Sequence, residues 1–111
     1  MKFEKTINLD VTGEYEDFTD FYNSNIEKIY NEIIECFKSF KDPSIQRIRL
    51  LVKAKIKNLE WDTDFKFNRF EIEILQRDLL PYYEQNELFE KCSEIRDLYN
   101  NLNEINNEIQ N

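Results

Sequence analysis

The segment from Ile48 to Ile56 constrains the fold most strongly, because apolar residues recur at every second position along it. The even-numbered residues are all apolar, namely Ile48, Leu50, Val52, Ala54 and Ile56. Arg49, Lys53 and Lys55 lie between them. Successive side chains of a β-strand point to opposite faces. The pattern therefore predicts a strand over residues 46–57 with one buried face and one solvent-facing face, at the centre of a sheet.

A helix over the same segment is the rival interpretation. Several apolar residues also recur there at helical spacing, namely Ile45, Ile48, Val52, Ile56 and Leu59. A helix would leave Leu50 or Leu51 outside its apolar stripe, whereas the strand accounts for all five alternating positions. We therefore favour the strand.

Alternation also predicts a strand on either side of the central one in the sequence. The first covers residues 2–11, and Thr12-Gly13 is expected to end it. The third covers residues 65–75, after a loop formed by residues 58–64. Its apolar phase slips by one residue after Phe67, as a β-bulge would produce.

The third strand is expected to form an antiparallel hairpin with the central strand. In that arrangement Glu71 and Glu73 would lie opposite Lys53 and Lys55. Opposite charges in such cross-strand pairs stabilise a sheet, so the pairing would explain the basic face of the central strand without any ligand.

Two helices are predicted from stripes of apolar residues at helical spacing. The first ends near Phe40, and its N-terminus lies either at the acidic residues that follow Glu14 or at Asn23-Ser24-Asn25. Residues 76–85 are expected to be irregular or briefly helical, with a break at Pro81. The final helix is predicted over residues 86–109.

These elements indicate an α+β fold with the order β-α-β-β-α. A three-stranded sheet with both helices packed on one face would bury every apolar stripe. A chain of 111 residues is expected to form a single domain over residues 1–111, with the last few residues frayed.

The acidic composition restricts the class of partner. Asp and Glu total 23 against 15 Lys and Arg, which gives a formal net charge of −8. Phosphate backbones and anionic membranes are negative too, so direct nucleic-acid binding and membrane binding are disfavoured. No apolar run reaches the length of a membrane span, and the segment Met1-Lys2-Phe3 does not resemble a signal peptide. We expect a cytoplasmic protein with Cys36 and Cys92 reduced, a disulfide between them being the alternative.

The sequence offers no catalytic constellation. Without histidine, neither cysteine has an obvious activating base, and a single glycine excludes a Gly-rich phosphate loop. Glu60, Asp62, Asp64 and Glu71 imitate the spacing of a calcium loop, but Phe65 occupies the position that requires glycine. We predict no enzymatic activity, no metal and no cofactor.

Acidic and aromatic residues are the candidates for partner binding. We predict that the acidic face of the last helix binds a partner, with help from the acidic segment before the first helix and from the loop that contains Trp61. The residues are Glu87, Glu90, Glu94, Asp97, Glu14, Asp17, Asp20, Trp61, Asp62 and Asp64. The alternatives are a helix face that is merely solvated and a tryptophan that packs into the core.

These features favour a non-enzymatic protein-binding module whose partner has a basic surface. The composition is rich in Ile, Asn and Lys, as in AT-rich genomes. The hypothesis is a small acidic inhibitor of phage or mobile-element origin, an anti-defence protein that mimics nucleic acid toward a nucleic-acid-handling protein. The alternatives are an immunity protein for a toxin nuclease, a structural or assembly subunit that forms a homodimer, and a nucleic-acid-binding domain that uses the basic face of the central strand.

Overall fold

The computed structural model describes residues 4–110, which form a layer of helices on one face of a mixed sheet. The strands are β1 (Glu4–Tyr15), β2 (Arg47–Ile56) and β3 (Leu59–Asn68). The helices are α1 (Phe18–Ser24), α2 (Ile26–Ser39), α3 (Leu80–Gln85) and α4 (Phe89–Gln110), and a π-helical turn spans Leu75–Leu79. The predicted α+β class is confirmed.

Strand β2 occupies the centre of the sheet, as its alternating sequence predicts. Among the described residues the strand order is β1-β2-β3, with β1 parallel and β3 antiparallel to β2. Every even-numbered residue from Ile48 to Ile56 is buried, and none of the odd-numbered residues is. One face of the sheet therefore carries the helices and the other faces solvent.

The core lies between the sheet and the helices. Helix α2 contributes Ile29, Ile33, Ile34, Cys36 and Phe37, and α4 contributes Cys92, Ile95, Leu98 and Leu102. The buried Tyr83 of α3 donates a hydrogen bond from its hydroxyl to Asn31 Oδ1 at 2.6 Å, which joins α3 to α2. Both cysteines are buried and free, and the structure has no disulfide between them.

The buried side chain of Arg69 connects the C-terminal end of β3 to α4 and to the loop between α2 and β2. Arg69 follows β3 directly and is completely buried. Its Nε donates to Asn106 Oδ1 of α4 at 2.9 Å, and Asn106 Nδ2 donates back to the Arg69 carbonyl at 2.9 Å. Its Nη atoms donate to backbone carbonyls of the loop between α2 and β2, at Phe40, Asp42, Pro43 and Ile45. The guanidinium thus holds this loop and α4 against the end of β3.

The β-α-β-β-α order predicted from the sequence is too coarse. The segment between β1 and β2 forms two helices, and both proposed N-termini exist. Asp17 caps α1 with its side chain, and Asn25 occupies the N-cap position of α2 without a side-chain capping hydrogen bond. Residues 75–85 are π-helical and then α-helical, and α3 includes Pro81, so the predicted break at Pro81 is wrong.

The predicted end of β1 is wrong, because the strand continues past Gly13 to Tyr15. Asp10 pairs with Lys53 and Glu14 with Lys55, so residues 11–13 bulge opposite Ala54 alone. Gly13 has φ +135°, a conformation that other residues rarely adopt. The glycine therefore permits a bulge within the strand instead of ending it. Residues 2 and 3 of the predicted strand lie outside the described residues.

The predicted position of the third strand is also wrong. Lys57 and Asn58 have φ values of 51° and 66°, which form a two-residue turn directly after β2. Strand β3 therefore begins at Leu59 and ends at Asn68, and the supposed bulge after Phe67 is the end of the strand. Lys53 pairs with Asp62 and Lys55 with Glu60, instead of with Glu71 and Glu73.

Candidate partner-binding surface

The turn between β2 and β3 positions an apolar cluster at the end of the sheet. Leu59 pairs with the buried Ile56, and Trp61 pairs with the buried Ala54. The side chains of Leu59 and Trp61 therefore lie on the helix-bearing face of the sheet. Leu59 is 67% exposed and Trp61 is 49% exposed. Phe18, the first residue of α1, is 42% exposed, and its ring centroid lies 6.5 Å from that of Trp61. We call Leu59, Trp61 and Phe18 the apolar tip.

The apolar tip is anchored to the core and is still open to solvent. The Phe18 ring lies 5.7 Å from the ring of Phe21, which is 2% exposed. Along β3 the helix-facing side chains become progressively covered, from Leu59 to the buried Phe67. Large apolar side chains that remain exposed in a cluster are typical of interaction sites, and tryptophan is enriched among the residues that dominate binding energy.

A cleft lies beside the apolar tip, where the bulge in β1 separates that strand from β2. Its volume is about 520 Å³. The residues that line it are Asp10, Val11, Gly13, Lys53, Ala54, Lys55, Glu60, Trp61 and Asp62. The cleft thus brings Trp61 together with charged side chains of both signs.

The solvent-facing side of the sheet carries rows of alternating charge. Asp10 and Asp62 flank Lys53, and Glu14 and Glu60 flank Lys55. A carboxylate on each side of every lysine reduces the positive potential that a phosphate group would meet. The basic residues of β2 are therefore part of a charge-balanced face.

Asp64 takes part in an ion pair within the sheet. Arg49 donates from Nε and Nη2 to the two carboxylate oxygens of Asp64, at 2.9 and 2.8 Å. These hydrogen bonds lower the pKa of Asp64 below its ordinary value. In the part of the chain that the structure describes, Glu60 and Asp62 form no such ion pair. Of the predicted residues on this strand, Asp62 and Trp61 remain free to contact a partner, whereas Asp64 is occupied.

The acidic residues before α1 stabilise the start of that helix. Asp17 accepts a hydrogen bond from the Asp20 backbone N–H at 2.8 Å, and Asp20 accepts one from the Glu16 N–H at 3.0 Å. This reciprocal arrangement satisfies backbone donors that a helix start leaves unpaired. Asp17 and Asp20 therefore have a structural role, and Glu14 lies beside Lys55 in the sheet.

The acidic face of α4 is partly neutralised by neighbouring lysines. Glu94 contacts Lys38 Nζ at 2.6 Å and Lys91 Nζ at 3.4 Å, and the hydrogen bond from Lys38 lowers the pKa of Glu94. Glu90 and Asp97 are exposed and line a shallow groove of about 610 Å³ together with Lys38 and Lys41. Glu87 lies in the turn before α4 and has φ 56°. This face therefore has mixed charge.

The predicted site residues form two separate groups. Trp61 lies opposite Ala54, toward the end of β2. The ion pair of Lys38 with Glu94 lies near the start of β2. Ser39, the neighbour of Lys38, has its Oγ 3.2 Å from Lys5 Nζ, and Lys5 pairs with Ile48. Six residue steps from Ile48 to Ala54 correspond to about 20 Å along the strand. Five of the predicted residues lie toward the apolar tip, namely Glu14, Asp17, Asp20, Trp61 and Asp62. Asp64 pairs with Leu51 in the middle of β2. The other four lie on α4 or in the turn before it, namely Glu87, Glu90, Glu94 and Asp97.

Two residues of the apolar tip were not predicted from the sequence. Leu59 falls in the loop predicted over residues 58–64. Phe18 falls at helical spacing with the apolar residues Tyr22 and Ile26, which predicts a buried position on a helix. The alternation of Leu59, Trp61 and Phe65 with acidic residues was the available signal, since it has the period of a strand.

No helix among the described residues combines the length and the apolar composition needed to cross a membrane. No family model, no curated protein and no solved structure matches the chain.

Proposed function

We propose that the chain is a non-enzymatic protein-binding module whose partner presents a basic surface with an apolar recess. The observation that carries this proposal is the apolar tip. Leu59, Trp61 and Phe18 expose apolar surface at one end of the sheet that the other described residues leave partly uncovered. Aromatic side chains bury a large area with few rotatable bonds, so their immobilisation on binding costs little entropy.

Charge supports a basic partner. The net charge of −8 would attract a positive surface over long range and raise the association rate. Glu60 and Asp62 border the apolar tip and are exposed, so their carboxylates are available to a partner's lysine or arginine. Such rim charges contribute more to rate and orientation than to affinity.

The form of this function that we propose is an inhibitor carried by a phage or mobile element and directed at a nucleic-acid-handling protein. An immunity protein that neutralises a toxin nuclease has the same physical requirements and is the alternative. Both require an acidic surface that competes for a basic site. The ion pairs of Glu94 with Lys38 and Lys91 weaken the case for α4 as the main contact surface, so we assign that role to the apolar tip and its acidic border.

Direct nucleic-acid binding is disfavoured by the charge rows on the sheet. Lys53 has Asp10 and Asp62 on the two flanking strands, and Lys55 has Glu14 and Glu60. Phosphate contacts are strongest at low salt, so a gel shift at low salt is the most sensitive test for nucleic-acid binding. We expect it to show no retardation of single-stranded or double-stranded nucleic acid.

Affinity capture from nuclease-treated lysate of the source cell tests the proposal. The wild type is compared with the double variant Leu59→Ser, Trp61→Ala, and the matched control is Phe89→Ser, since Phe89 is 66% exposed but lies at the start of α4. We expect one stoichiometric basic protein with the wild type and the control, and a recovery at least tenfold lower with the double variant. Equal recovery with all three proteins would contradict the assignment of the apolar tip.

A further inference from the structure

The outer edge of β3 is long and regular. Strand β3 forms one border of the sheet and pairs with β2 in an unbroken register from Leu59 to Asn68. It contains no proline, and its register with β2 has no bulge. Proteins commonly protect edge strands with prolines, bulges, charged side chains or very short strands, because a free edge pairs readily with another chain. Of these protections β3 has the charged side chains, which leave the edge open to a strand of opposite charge.

The opposite border of the sheet is interrupted. The register of β1 shifts between Asp10 and Glu14, and Gly13 occupies a left-handed conformation there. A bulge of this kind twists the strand and breaks the row of free backbone groups. The two edges therefore differ, and only β3 offers a regular template along the full strand.

The turn determines which backbone groups of β3 are free. In a two-residue hairpin the residues that flank the turn exchange both backbone hydrogen bonds, so Ile56 and Leu59 form a hydrogen-bonded pair. Hydrogen-bonded and non-hydrogen-bonded pairs alternate along an antiparallel ladder. Glu60, Asp62, Asp64 and Lys66 therefore direct their N–H and C=O groups toward the open edge.

The two sides of this edge have different chemistry near the turn. Glu60 and Asp62 project from the solvent-facing side, and both are exposed. Leu59 and Trp61 project from the helix-bearing side and are also exposed. A strand placed alongside would thus meet carboxylates on one side and apolar surface on the other.

We propose that β3 binds its partner by strand addition, through an extended segment in which basic and apolar residues alternate. The basic residues lie opposite Glu60 and Asp62, and the apolar residues lie opposite Leu59 and Trp61. Backbone hydrogen bonds to the free edge supply affinity, and the alternating side chains supply specificity. This inference rests on the proposed function and specifies how the partner is engaged.

A second copy of the chain does not fit the same edge. Antiparallel self-pairing centred on Asp62, Thr63 or Asp64 would in each case set an aspartate directly opposite an aspartate. Like charges in that position destabilise a sheet. A register centred on Phe65 avoids this repulsion but leaves Leu59 and Trp61 uncovered. The occupant is therefore a different chain with basic residues.

The test uses an end-blocked peptide of eight alternating lysine and valine residues and the full ¹⁵N-labelled chain. We expect binding to slow the amide exchange of Glu60, Asp62 and Asp64 at least tenfold, because these N–H groups are free before binding. The control peptide has the same composition with its lysines and valines in two separate blocks. It is expected to bind at least tenfold more weakly, since it cannot satisfy both sides of the strand.

Two variants of one residue separate the backbone contribution from charge. Asp62→Pro removes an outward N–H without breaking a hydrogen bond to β2, and Asp62→Ser removes the same carboxylate but keeps the N–H. We expect the proline variant to bind the alternating peptide at least tenfold more weakly than the serine variant. If the proline variant fails to fold, a peptide that is N-methylated on its lysines provides the equivalent loss of backbone donors.

Equal binding by the two variants together with unprotected edge amides would overturn strand addition, as would absence of binding at millimolar peptide. The proposed function has a separate readout, because the capture experiment depends on Leu59 and Trp61 and does not depend on the backbone of Asp62. Loss of capture with the tip variant but equal binding by the Asp62 variants would retain the function and reject this mode of binding.

Discussion

Replacing Arg69 tests whether the buried guanidinium holds the far end of the fold together. Its side chain is fully buried and donates to Asn106 of α4 and to four carbonyls of the loop between α2 and β2. It also lies over the Phe40 ring at 5.5 Å from the centroid. Arg69→Met retains a side chain of similar length and removes all of these donors at once.

The expected loss of unfolding free energy follows from the acceptors that Arg69→Met leaves without a donor. Two of them are in buried residues, Phe40 O and Asn106 Oδ1. An unsatisfied buried polar group costs about 1–3 kcal/mol, so the pair costs about 2–6 kcal/mol. Burial also lowers the pKa of Arg69, which shows that the charged side chain is desolvated, and removing the charge offsets part of the loss. We expect Arg69→Met to lower the free energy of unfolding by about 3 kcal/mol.

Urea denaturation followed by circular dichroism measures this effect. With an m-value of about 1.5 kcal/mol per molar urea, the midpoint should fall by about 2 M. Arg69→Lys keeps the charge but has fewer donors and no planar fork, so it should recover only part of the loss. Arg77→Met is the control, because Arg77 is exposed and, among residues 4–110, forms an ion pair only with its neighbour Asp78, and it should leave the midpoint unchanged. An unchanged midpoint for Arg69→Met would refute the reasoning.

Three further predictions concern other parts of the chain. Cys36 and Cys92 are both buried, and burial raises the pKa of Cys36 to about 12, so neither cysteine should react with a thiol reagent at pH 8 in the folded protein, and both should react in urea; rapid reaction without urea would contradict the burial. The hydrogen bond from Lys38 lowers the pKa of Glu94 from its ordinary value of 4.5, so this pairing stabilises the fold above pH 4.5. In urea titrations, the difference in unfolding free energy between wild type and Glu94→Gln should therefore disappear as the pH falls through the lowered pKa. A difference that persists at pH 2 would contradict the pairing. Asn58→Gly should raise the free energy of unfolding by about 0.5–1 kcal/mol, since glycine adopts a positive φ without strain, and a lower melting temperature would contradict the turn assignment.

The period of the apolar residues was sufficient to predict the centre of the sheet. Ile48 to Ile56 alternate in the sequence, and the structure buries the even-numbered side chains. A strand can be predicted from a short segment when apolar and polar residues alternate regularly, because the character of each residue indicates which face of the sheet it occupies. The same argument predicted the first strand up to the bulge, but not its parallel pairing with β2.

The position of the hairpin was misjudged for a physical reason. The acidic residues between Leu59 and Phe65 have the composition of a loop, and that composition outweighed their alternation with apolar residues. Asparagine tolerates the left-handed conformation better than most residues, so Asn58 was a signal for the turn. Placing the turn there shifts β3 toward the N-terminus and exposes Leu59 and Trp61 on a strand.

The functional groups on α4 and the role of Arg69 depend on contacts between distant parts of the chain. Nothing local distinguishes Glu94, which pairs with Lys38, from its exposed neighbour Glu90. Likewise, the acceptors of Arg69 lie 24 to 37 residues away in the sequence. Charge patterns therefore predicted which acidic residues lie on the surface, but not which of them are free to contact a partner.

Hydrogen–deuterium exchange of the captured complex, compared with the free chain, tests the central claim most directly. The claim is that the partner covers the apolar tip and the adjoining strand β3. We predict that residues 59–64 become protected in the complex while residues 87–97 exchange as in the free chain. Protection of residues 87–97 with no change over residues 59–64 would contradict the claim and assign the contact to the acidic face of α4.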